Sequence, residues 1–254
     1  MKIFVCVKHV PDTAANVKLV NGNSFDDSVK FVANPYDEYA IEEAIQIKEK
    51  TGGEIVIVTL GIPQAVASIR MALAMGADRG IHIKTDELIV DTVTTAEALK
   101  KAIEKDGGAD LILTGKQSVD FEGMHTQYYL AQTLGLPVVT DVVALELEKD
   151  QAVVESDLGS SEVAIMELSL PCVISATKGL NEPRYPRLPD IMKAKRKPVE
   201  EISLQELVPQ SPVHKTSMVS LEPVPEKGQA TLFEGSATEV VDKLVEVFRT
   251  KALI

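Results

Sequence analysis

Four short runs in the first half of the chain are mostly apolar on both faces: KIFVCV (2–7), EIVIVTL (54–60), GIHIK (80–84) and ADLILTG (109–115). Such strands must be covered on both sides, which is the condition of a parallel sheet lying under helices. The intervening segments supply those helices. DEYAIEEAIQIKEKTG (37–52) sets Ala40, Ile41, Ala44, Ile45 and Lys48 at helical spacing and closes on glycine. PQAVASIRMALAMGA (63–77) opens on proline and ends near Gly76, and TTAEALKKAIEKDGG (94–108) follows the same pattern. This alternation predicts an α/β protein with a doubly wound, mostly parallel, Rossmann-like sheet. Its ligand crevice is expected outside the carboxyl ends of the strands.

The pattern changes near residue 137. VVTDVVALELEKDQAVVESDLGSSEVAIMELSLPCVISATKG (138–179) reads as several strands joined by tight turns, an antiparallel extension of the sheet. Beyond Pro198 the chain is rich in proline, then ends in ATEVVDKLVEVFRTKAL (237–253), a helix with Val240, Val241, Leu244, Val247 and Phe248 along one stripe. The expected division is an α/β domain over 1–199, including the basic loop at 178–198, and a C-terminal arm over 200–254. The arm cannot bury itself locally and is expected to pack on something else.

The formal net charge of -12 argues against general nucleic-acid binding, so any basic patch is local. Cys6 and Cys172 are the 2 cysteines, each inside an apolar run, which reads as two buried thiols in a reducing compartment. No apolar stretch approaches a membrane span of about 20 residues, and the chain is expected to be soluble, cytoplasmic and not membrane-inserted. TGKQSVD (114–120) is not a P-loop, because Asp110 and Gln117 stand where glycine and Ser or Thr are needed. There is no G-x-G-x-x-G after a strand, and His9, His82, His125 and His214 have no zinc spacing. The sequence presents no catalytic machine.

Three loops fall at expected carboxyl ends: KHVPDT (8–13), LGIP (60–63) and GKQSVDFEGMHTQ (115–127). In the third, Gly123 and Thr126 sit at a helix start. They suit a phosphate cradle of exposed amides, a hydroxyl and the positive end of a helix dipole. The other reading is that Asp120, Glu122 and Thr126 simply cap that helix. ANPYDEYAIEEA (33–44) adds an Asn-Pro turn feeding a helix, readable as no more than a turn and a cap.

KGLNEPRYPRLPDIMKAKRKP (178–198) is the local basic patch, with Pro183, Pro186 and Pro189 around Arg184, Tyr185, Arg187 and Leu188. Three prolines stiffen the loop, so an apolar tip loses less entropy on docking. Its cations either steer toward an acidic partner or pair with the chain's own carboxylates, and an exposed charge run favours the second.

Together VKHVPDT, NPYDEYAIEEA, IRMALAMGADRGIHI, GKQSVD and above all LNEPRYPRLPDIMKAKRKP resemble the β subunit of electron transfer flavoproteins, in order from residue 1 to about 200. The resemblance implies a heterodimer in which a larger α subunit holds the redox-active FAD. It implies partners of the acyl-CoA dehydrogenase type and a membrane-bound quinone oxidoreductase. It also implies a second nucleotide in this chain, AMP in ordinary members and a second FAD in electron-bifurcating ones that oxidise NADH. The positions it marks for that nucleotide are Cys6, Asn34, Pro35, Tyr36, Asp37, Leu60, Gly115, Gln117, Asp120, Glu122, Gly123, Met124, His125 and Thr126. For docking it marks Arg184, Tyr185, Pro186, Arg187, Pro189 and, as anchor, Leu188. Bifurcating members resemble one another in a G-D-T-A-Q run where this chain reads FEGMH (121–125). Phe121 is bulky where glycine admits close backbone approach, which inclines the expectation toward AMP.

Overall fold

A computed structural model describes residues 1–15, 17–20, 24–25, 28–209, 216, 218–222, 225 and 228–254. Nine strands form one sheet: β1 (Lys2–Cys6), β2 (Glu54–Gly61), β3 (Arg79–Lys84), β4 (Leu111–Gly115), β5 (Val138–Leu147), β6 (Gln151–Gly159), β7 (Glu162–Ser169), β8 (Cys172–Ala176) and β9 (Val199–Ser203). Their order across the sheet is β7-β6-β5-β8-β4-β1-β2-β3-β9. All pairings are parallel except those of β6 with β5 and β7.

The helices are α1 (Pro35–Thr51), α2 (Val66–Met75), α3 (Thr92–Lys105), α4 (Thr126–Leu134), α5 (Leu188–Ala194), α6 (Leu204–Leu207) and α7 (Ala237–Thr250). Alternate residues of β1 point to opposite faces, as a strand requires. Ile3 and Val5 meet Ile41 and Ala44 of α1 and Ile69 and Leu73 of α2. Phe4 and Cys6 meet Ala98 and Leu99 of α3 and Leu130 of α4. The chain winds outward from β1 to β3 under α1 and α2, then crosses to β4 and continues under α3 and α4. The reversal between β1 and β4 opens a crevice at their carboxyl ends.

Two parts of the main sheet differ from the sequence expectation. CVISA, grouped with the antiparallel extension, is β8, a fully buried parallel strand between β4 and β5. Its burial at every position, with Ser175 as the one polar residue, is that of a strand covered on both faces, unlike the alternating β6. The expected start of the arm at residue 200 falls inside β9, which pairs with β3 and buries Ile202, while Leu204 of α6 is buried in the same cluster. The sheet body therefore runs to about Pro209. No residue of α7 is buried, and Val241, Leu244 and Phe248 are exposed along it.

Candidate functional site

The crevice has a volume of about 890 Å³. Its floor is Cys6, Val58, Leu60 and Thr114, the ends of the central strands on the α3 and α4 side. Loop residues Lys8, Gly115, Gln117, Ser118 and Phe121 form one wall, and Glu87–Thr92, between β3 and α3, form another. Thr216 and Met218–Leu221 also line it.

Helices α3 and α4 both begin at the crevice, and they begin differently. Asp91 caps α3, its carboxylate accepting from the N–H groups of Val93 and Thr94. The N-cap of α4 is His125, and no side chain caps that end. Asp120 instead accepts from Lys8 Nζ at 2.8 Å, so the capping role considered for it is not taken up. The start of α4, from His125 to Gln127, lines the crevice, so the roughly half positive charge of a helix N-terminus lies at its edge. Just before them, Glu122 (φ 49°) and Met124 (φ 54°) adopt left-handed backbone, uncommon for residues with a Cβ, so the loop is held in a particular shape. On the floor, the buried Thr114 hydroxyl has no protein partner. An uncapped helix start and an orphaned hydroxyl in one cleft suit an anionic ligand with hydrogen-bonding groups.

The loop is pinned by the start of α1. Asp37 is buried and accepts from Lys8 N–H at 2.7 Å, Asn34 Nδ2 at 3.0 Å and Gly115 N–H at 3.0 Å. Burial pushes its carboxyl up to about 7 against the pull of those hydrogen bonds. Asn34 also donates to Gln117 O at 2.8 Å, and its Oδ1 accepts from Val119 N–H at 3.1 Å. Gly115 is needed for contact: a Cβ there would collide with Asp37 Oδ1 and lie 2.7 Å from the Tyr36 backbone. The Cys6 thiol is pushed far above its usual range by burial and then by the Asp37 charge. It is therefore a protonated, apolar part of the floor.

On the opposite side of α1, the basic loop stands braced. Pro183 and Pro186 precede Leu188, which is the first residue of α5 with Pro189 behind it in the first turn, where proline costs no hydrogen bond. Within the stretch read as a leucine-tipped loop, residues 188–194 form a short helix whose first residue is the leucine. Leu188 is 73% exposed and Tyr185 is 91% exposed. Ile191 and Met192, one turn on from Leu188, are exposed beside it. Arg187 pairs with Asp190 at 3.0 Å, and Lys197 Nζ donates to the carbonyls of Leu73 and Ala77 at the end of α2.

A family model described as the electron transfer flavoprotein domain matches residues 23–207. The electron transfer flavoprotein subunit beta of Bacillus subtilis is 38% identical, with 100% of each chain covered. The human subunit beta is 36% identical over 98% of each chain, and the mitochondrial subunit beta of Arabidopsis thaliana is 36% identical over 96% of this chain and 97% of its own. The chain belongs to the electron transfer flavoprotein family.

Of the positions marked for a nucleotide in this flavoprotein-family chain, Cys6, Asn34, Asp37, Leu60, Gly115, Gln117, Gly123, Met124, His125 and Thr126 line the crevice. Pro35, Tyr36, Asp120 and Glu122 stand outside its wall. Tyr36 instead lies under the Lys116 ammonium, 5.4 Å from its ring centroid. Sequence reading placed Lys8 in a crevice loop but missed its role: it ties Asp120 and sits 4.7 Å from the Phe121 ring centroid. It also missed Glu87–Thr92; the Asp91 cap before a helix at a strand end was the available signal. Among the described residues no cluster suits a metal ion, and no helix is long and apolar enough to cross a membrane.

Proposed function

We propose that this chain is the β subunit of a heterodimeric electron transfer flavoprotein. In this reading it carries electrons in the cytoplasm from acyl-CoA dehydrogenase-type flavoenzymes to a membrane-bound quinone oxidoreductase. The α subunit holds the FAD that accepts and releases the electrons. This chain supplies scaffold, structural nucleotide and docking element, with no bond-making group of its own.

The crevice is assigned to AMP. The observation that carries this is the uncapped start of α4 opening beside the orphaned Thr114 hydroxyl. The phosphate is assigned to the Gly123–Thr126 amides, with the Thr126 hydroxyl adding a hydrogen bond worth about 1 kcal/mol. Phe121, held under Lys8 at the mouth, favours a mononucleotide by filling space that a longer ligand would use. One observation favours a second FAD and a bifurcating complex instead: the crevice is roomy, about 890 Å³, with Leu88–Thr92 and Met218–Leu221 both in its lining. Denaturing release from the purified heterodimer separates the two. One FAD and one AMP per heterodimer is expected; two FAD with NADH oxidation would replace the first reading with the second.

Docking is assigned to the face formed by Tyr185, Leu188, Ile191 and Met192. Burying Leu188 in a partner pocket is worth roughly 1.5–3 kcal/mol. Leu188→Ala is expected to weaken electron transfer from each dehydrogenase partner while flavin content and heterodimer assembly stay intact. Wild-type rates at low partner concentration would make the segment a structural brace.

A further inference from the structure

Arg184, two residues before Pro186, turns its whole guanidinium onto two carboxylates of α1, although its side chain is still 37% exposed. Its Nε and Nη2 donate to Glu42 at 2.9 Å each, and Nη1 and Nη2 donate to Glu49 at 2.7 and 3.2 Å. Its backbone N–H also donates to Glu42, at 3.2 Å. Glu42 and Glu49 lie two turns apart on α1, so one planar guanidinium spans two carboxylates on the same helix face. The Glu42 side chain is 4% exposed. Asn181 adds Nδ2 hydrogen bonds to Tyr39 O at 3.0 Å and Glu43 Oε2 at 2.9 Å. The far end of the segment is tied to α2 instead, where Arg70 donates to Ala194 O and Lys197 O at 2.8 and 2.6 Å. Both limbs are fixed to the sheet body, and Tyr185 and Leu188 are the large apolar side chains left most exposed between them.

A cation that steers a partner must carry charge that its own molecule leaves unpaired. Arg184 has Nε, Nη1 and Nη2 all donating to the two carboxylates of Glu42 and Glu49. We infer that the Arg184–Glu42–Glu49 clamp is a positioning device, which holds Leu188 ready for docking and neither touches nor steers the partner. This rests on the docking reading of Leu188. Asn34 and Asp37, at the other end of the same helix, pin the crevice loop, so α1 sets the nucleotide loop and the docking segment on one rigid element.

The experiment uses the intact heterodimer with its flavin content verified, and measures electron transfer against concentration of an acyl-CoA dehydrogenase. Glu42→Gln keeps the shape and removes the charge. Arg184→Lys keeps the charge, but one ammonium cannot span both carboxylates. Each is expected to raise the KM for the dehydrogenase roughly three- to tenfold, the range that ordering one long side chain on binding costs. Turnover at saturation and the salt dependence should stay as in wild type, and amide exchange over 182–188 should accelerate. On a Leu188→Ala background, Glu42→Gln should have almost no further effect on KM. If Leu188→Ala raises KM and neither clamp variant does, the clamp inference fails while the docking reading stands. If Leu188→Ala has no effect, the docking reading fails and takes the clamp with it. A wild-type KM in Arg184→Lys, or a Glu42→Gln effect that persists in full without Leu188, would mean that the cation acts directly, and overturns positioning. Should Glu42→Gln not fold, Glu49→Gln, at the exposed end of the clamp, tests the same expectation in the same direction.

Discussion

Asp37 shows how one side chain carries both fold and site. Its carboxylate gathers a strand end, a helix start and the crevice loop, and burial has raised its proton affinity in return. Unfolded, it releases its proton near the ordinary value of about 3.9; folded, it does so at about 7. Between those values the folded state holds a proton the unfolded state has lost, so its contribution to stability falls as pH rises through that window. The difference in unfolding free energy between Asp37→Asn and wild type, measured from pH 4 to 7, should therefore shift in favour of wild type toward the acid end. A difference that is constant over the window would show that Asp37 is not raised. Two glycines separate structure from binding. Gly115→Ala meets Asp37 and Tyr36 and should cost about 1–3 kcal/mol of stability by overpacking. A Cβ at Gly123 meets no protein atom within 4 Å. Gly123→Val should keep most of the fold's stability and lose bound nucleotide, and unchanged nucleotide content would remove the phosphate from that loop.

At the scale of elements, the C-terminal region divides where the sheet ends. β9 extends the sheet by pairing with β3, and α6 fills the cluster beneath α3, whereas α7 buries nothing. Its capping box, with Ser236 and Glu239 exchanging hydrogen bonds, starts the helix locally, but an isolated helix of this length is marginal in water without a packed face. In the proposed heterodimer, the apolar stripe through Val241, Leu244 and Phe248 is expected to pack on the α subunit. Truncation after Pro209 should leave thermal unfolding of the sheet body close to wild type and abolish co-purification of the α subunit. Truncation after Pro198 removes β9 and should lower the melting temperature clearly. A truncated chain that stops at Pro209 and still holds the α subunit would exclude the arm as the clasp.

For the whole molecule, a net charge of -12 coexists with a local run of cations, and the structure accounts for much of that run internally. Arg184 serves α1, Arg187 and Lys193 share Asp190, and Lys197 closes the end of α2. Electron transfer should accordingly tolerate a rise in ionic strength better than Leu188→Ala, because exposed pairs are screened while an apolar contact is not. A salt effect larger than the truncation would restore steering as the main role. The order of the main-sheet strands and their helices from Lys2 to Gly115 was legible in the sequence, because apolar runs and helical spacing are local consequences of two-sided burial. So were the crevice loops, which follow from strand ends, and the exposed leucine. The place of β8 between β4 and β5, the addition of β9 at the edge, and the assignment of Asn34 and Asp37 to pinning a loop were decided only in three dimensions. So was the inward turn of Arg184 onto Glu42 and Glu49. Each depends on partners distant in sequence, and a residue's own identity carries no record of which distant group will satisfy its charge or its hydrogen bonds.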